Sequence, residues 1–118
     1  MNVEEFRDYC LQKRKVTEEF PFDENTLVFK VSGKMFALTG LNNESFRVNL
    51  KCDPQRAVDL RERYPQSIDP GYHMNKKHWN TVHFEEGLSD TILRELIDHS
   101  YELVIRGLTK KVREQYFE

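Results

Sequence analysis

Cysteine is scarce in this chain, and the two present, Cys10 and Cys52, stand far apart with no C-x-x-C pair and no histidine cluster at zinc spacing. That argues against a disulfide framework, a dithiol redox centre and a structural zinc site, and leaves two isolated buried thiols as the expectation. Long apolar runs are missing as well. Nothing approaches the ~18 residues that a membrane span requires, and the start Met1-Asn2-Val3-Glu4-Glu5 is acidic where a signal peptide would be basic. No membrane contact is expected, and the cytoplasm is the expected compartment. Repeats, low-complexity tracts and linker-like stretches are absent. No catalytic motif stands out, so no enzyme activity and no cofactor are expected.

What is present suits one globular domain over residues 1–118, a length that fills one hydrophobic core and falls short of two. Eight phenylalanines supply core material, while 32% charged residues at a net charge of -2 supply an ordinary wet surface. Charge is unevenly placed along the chain. Residues 26–84 hold nine Lys or Arg against five Asp or Glu, and both flanks are acidic. A nucleic-acid binder needs one basic face, and this middle segment is where it would lie. An unevenly charged solvated surface is the plainer account of the same numbers.

Local patterns predict an α+β fold, an antiparallel sheet of about four or more strands against N-terminal, middle and C-terminal helices. Asn2 with Glu5 reads as a capping box before Val3, Phe6 and Cys10, predicting a helix near 3–14 whose end is favoured by Lys13-Arg14-Lys15. Residues 26–50 alternate as a three-stranded meander, turning at Ser32-Gly33, with one buried face and Lys30, Arg47 and Lys51 on the other. Asp53-Pro54 opens a second helix near 54–64. Asp69-Pro70-Gly71 reads as a turn, leading to a fourth strand at 77–84. Ser89 caps a long helix near 90–106 whose stripe Leu93, Leu96, Ile97, Tyr101, Val104 and Leu108 faces the sheet. Lys110-Lys111-Val112-Arg113 adds a final helical turn.

Residues 70–83 concentrate the chain's unusual chemistry: its one tryptophan, Trp79, three of its four histidines and the pair Lys76-Lys77. Lys76, Lys77 and His78 beside an aromatic could hold phosphates, with Asn75 as a further contact or a turn residue. Trp79 shares a strand face with Thr81 and His83, and core anchoring competes with ligand stacking there. His73, His78 and His83 suggest a metal, yet a spacing of five sends neighbours to opposite faces of a strand, so none is expected. Adjacent Asp98 and His99 point apart on a helix, against an acid-base dyad. Near Glu18-Glu19, Phe20 and Phe22 are expected to fill the core while the glutamates stay wet.

The run "PGYHMNKKHWNTV" resembles the signature of the MmcQ/YjbR family of small bacterial proteins. "TEEFPF" at 17–22, "FKVSGKMFAL" at 29–38, "VNLKCDP" at 48–54 and "ELIDHSYELV" at 95–104 resemble its other blocks, in the same order and over nearly the whole chain. The resemblance implies a fold similar in shape to frataxin-like proteins and type III secretion chaperones, and DNA binding through a double-wing surface of loops projecting from the sheet. By position, the wings are the Ser32-Gly33-Lys34 turn and the 72–77 loop. The expected contacts to DNA are Lys30, Lys34, Arg47, Lys51, Asn75, Lys76, Lys77 and His78, weak and with little sequence preference, from a monomer. A protein-interaction or chaperone-like module is the alternative, and a small-ligand pocket near Tyr72, His73 and Trp79 is a third reading.

Overall fold

A computed structural model describes residues 1–118. Helix α1 (Val3–Leu11) starts with the reciprocal cap: Asn2 Oδ1 accepts the Glu5 N–H at 2.8 Å and Glu5 Oε1 accepts the Asn2 N–H at 3.1 Å. It ends a turn before the expected Lys13-Arg14-Lys15. Those cations instead reach other helices, Lys13 to Asp98 at 2.5 Å and Arg14 to the Tyr116 carbonyl at 2.9 Å, while Lys15 turns the chain at φ 62°. Helix α2 (Pro54–Arg63) follows its aspartate cap, α3 (Asp90–Arg106) follows Ser89, and a short α4 (Lys110–Tyr116) follows Thr109.

Six antiparallel strands make the sheet: β1 (Val16–Glu19), β2 (Thr26–Val31), β3 (Lys34–Gly40), β4 (Arg47–Lys51), β5 (Ile68–Pro70) and β6 (Trp79–His83), in the order β1-β2-β3-β4-β6-β5. The meander and the strand inside 77–84 are where the alternation put them. Ser32 and Gly33, at φ 47° and 82°, close the β2–β3 hairpin with the double left-handed turn that suits strand twist. A bulge after Phe29 gives β3 one extra residue, so consecutive Phe36 and Ala37 both reach the helix side.

Residues 69–71 are not a turn: Asp69 and Pro70 pair with Thr81 and Asn80 at the sheet's edge. An edge strand tolerates proline because its missing N–H has no ladder to break. The core lies between the sheet and α1 and α3, where Phe6 meets Phe29, Phe46 and Phe84 ring to ring and Leu93, Leu96, Ile97 and Val104 complete the layer. Burying such side chains stabilises by roughly 1.5–3 kcal/mol each before ordering entropy is subtracted. Phe20 and Phe22 do not join it. They are 50% and 63% exposed, on the loop from β1 to β2 that leaves the sheet before either ring can turn inward.

Candidate functional site

The sheet face away from the helices is only partly covered. Val28, Leu38 and Trp79 form a small separate cluster there, with Met35 and Met74 packed on it. Trp79, 9% exposed, is therefore an anchor under the 71–78 loop. Gly71 is needed at the loop's start, because a Cβ there would lie 2.8 Å from Trp79 Cβ. Arg61 of α2 ties the loop's far end, donating to Asn80 Oδ1 at 2.7 Å and to the Lys76 carbonyl. Asn49 and Thr81 hold its near end: Asn49 Nδ2 donates to the Tyr72 carbonyl at 3.1 Å, and Thr81 Oγ1 accepts the Tyr72 N–H at 2.9 Å.

Register places the expected DNA contacts in three groups. Lys51 pairs with Trp79 and β3 begins at Lys34, so the Ser32-Gly33 turn, the end of β4 and the 71–78 loop share one end of the sheet. Lys34, Lys51, Lys76, Lys77 and His78 gather at that end, and none of them is in an ion pair. Lys76 Nζ donates to the Gly71 carbonyl at 3.0 Å, which orients it without neutralising it. Lys30 stands apart, its charge met by Glu19 at 3.3 Å. Arg47 starts β4 at the opposite end. Asn75 is a turn residue, its carbonyl accepting from His78 and Trp79 and its side chain from the Lys77 N–H.

Arg47 instead belongs to a cleft of about 360 Å³ on the same face. Phe22 reaches it from the β2 side and Tyr72, His73 and Met74 from the β6 side, over a floor that includes Met35, Leu38 and Asn49. The strands bearing the two walls are three spacings apart, about 14 Å. The Arg47 guanidinium lies 5.0 Å from the Tyr72 ring centre, and His73 packs at 4.0 Å on the same ring. Trp79 belongs to the apolar cluster beside the floor, with Leu38 and Met74, and is not on the lining. Phe22, expected in the core, stands exposed on the cleft's wall, and Asn49, Thr81 and Arg61 give no signal in the sequence, since each acts through a partner distant in the chain.

The histidines are dispersed between these two features and the sheet's edge. His83 bonds Asp69 at 2.7 Å, His73 stacks on Tyr72, and His78 is exposed; no three metal-binding side chains converge. Asp98 accepts from the Tyr9 hydroxyl at 2.7 Å, and burial, followed by that bond, pushes the Tyr9 phenol up to about 12. His99 faces elsewhere and accepts the Asp53 N–H at 3.1 Å. Both thiols are free, and burial pushes Cys10 up to about 12 and Cys52 up to about 11, which keeps them as thiols near neutrality. No helix is long and apolar enough to cross a membrane.

Comparison with known proteins bears on this architecture. YbdF of Escherichia coli O157:H7 is 47% identical over 93 residues, covering 78% of this chain and 75% of its own. YjbR of Escherichia coli K12 is 29% identical over 113 residues, 96% of this chain and 95% of its own. Both are described only as uncharacterised proteins. A crystal structure of a Deinococcus radiodurans protein superposes with a TM-score of 0.91 at 44% identity, over 97% of this chain and 86% of that one. A Pseudomonas syringae protein reaches 0.75 at 31% identity, over 87% and 98%. The YjbR family model matches residues 11–103, which together with these relatives shows that the chain belongs to the YjbR family.

Proposed function

We propose that the protein is a non-enzymatic cytoplasmic DNA-binding protein that grips the phosphate backbone with one end of its sheet. The observation that carries this reading is the gathering of Lys34, Lys51, Lys76 and Lys77, with no carboxylate partner, around two loops leaving the sheet together. A lysine cluster without ion-pair partners on a chain of net charge -2 is a local feature, suited to a linear polyanion. Little sequence preference is expected, because a lysine is a flexible point charge without the planar fork of an arginine, and Arg61, the arginine tied to the 71–78 loop, donates within the fold.

Fluorescence anisotropy with a labelled duplex across a salt series tests the reading. Four phosphate contacts give a slope of log K against log salt of about -3.6. A flat response, or no binding at low salt, overturns it. The exposed Phe20 and Phe22 support a protein-interaction module as the second reading, since apolar side chains left on a loop suit a protein partner more than a phosphate.

A further inference from the structure

We infer that the cleft beside the basic end is a separate binding site for one small aromatic carboxylate. Its volume, about 360 Å³, is near the lower limit of small-molecule sites, enough for a one- or two-ring ligand. Its lining combines apolar Met35, Leu38 and Met74 with the rings of Phe22 and Tyr72, which are 63% and 54% exposed. Rings left in water on two sides of an apolar floor are suited to a flat apolar guest.

Charge decides the rest of the ligand. No aspartate or glutamate lines the cleft, and Arg47 is its one permanent cation. The guanidinium has no carboxylate partner and donates no hydrogen bond to another protein group, although the Tyr72 ring holds it in place. A planar fork of unfilled N–H donors beside an apolar floor matches a carboxylate in two bonds. The backbone at the mouth is also unusual: His73 is held at φ 57°, outside the hairpin turn that accounts for Ser32. Left-handed conformations of non-glycine residues cost energy and cluster at binding sites. Arg47 and the 71–78 loop are thereby arranged around a space that nothing in the chain fills.

Calorimetric titration of the full chain with 2-naphthoate and with the uncharged 2-naphthalenemethanol tests the site, with amide NMR shifts to locate it. The acid is expected to bind at least about tenfold tighter than the alcohol, shifting the Arg47, Asn49, Tyr72 and His73 amides. Arg47→Gln should erase that preference, bringing the two probes' affinities within about twofold of each other. Phe22→Ala should weaken both probes by the same factor. Both variants change side chains outside the buried core, and circular dichroism checks that they fold. Equal affinity for the two probes, undiminished binding of the acid by Arg47→Gln, shifts located elsewhere, or no binding of the acid up to about 5 mM overturns the inference. The duplex-DNA salt slope is read independently of all these results.

Discussion

His99 shows how one side chain ties stability to pH. Its Nε2 accepts the Asp53 N–H, which requires a neutral imidazole, and burial followed by the nearby Arg56 charge lowers its pKa from the usual value. Above about pH 6.5 the imidazole is neutral in both folded and unfolded chains, so this contribution is complete. As pH falls, the unfolded chain takes up the proton first, and the contribution is lost until the folded group protonates too. The wild type should therefore lose more urea resistance than His99→Gln between about pH 7.5 and 5.5. An identical loss in both, measured by urea unfolding, refutes the role. The sequence showed that Asp98 and His99 diverge on their helix. It could not show what each meets, because Asp53 lies 46 residues from His99.

Elements join through single polar side chains as well as through the core. Ser100, fully buried in the middle of α3, accepts the Lys51 N–H at 2.8 Å and donates to the Phe36 carbonyl at 2.5 Å. Phe36 is the bulge residue and Lys51 the last residue of β4, so one hydroxyl serves two backbone groups at irregular points of the sheet. Ser100→Ala leaves both buried without that partner and should cost about 1–3 kcal/mol or more. A loss below about 0.5 kcal/mol in chemical denaturation would show that water replaces the hydroxyl. Caps and alternation made α1, α2, α3 and the meander legible because their signals are local. Strand β1 offers one apolar residue in Val16-Thr17-Glu18-Glu19, and β5 hides behind Pro70, since edge strands need neither a two-sided apolar pattern nor a full set of N–H donors.

The whole molecule is a sheet with two unlike faces. Seventeen buried side chains knit the helix side and three the other, so the second face can carry a cleft and a cation cluster without disturbing the main core. The sequence held a trace of this second face in Leu27-Val28-Phe29, whose unbroken apolar run departs from the alternation of a sheet wet on one side. Sequence reaches two residues of the cleft, Tyr72 and His73, but not Phe22, Arg47 or the floor, because these meet only when the chain is folded. The same two-sidedness sorts the lysines. Lys34 and Lys77 are exposed at the basic end, whereas Lys110 and Lys111 lie on α4, which docks through Tyr116 and Phe117 against Arg14 and the helix-side core. Lys34→Glu with Lys77→Glu should therefore weaken duplex binding at low salt by about tenfold or more, whereas Lys110→Glu with Lys111→Glu should change it by less than about threefold. Net charge shifts equally in the two variants, so a difference between them measures position. Circular dichroism and unchanged Trp79 emission would verify the fold and the seating of the 71–78 loop. Comparable losses in the two variants would mean that DNA senses only the protein's overall charge, and the basic end would no longer be the binding surface.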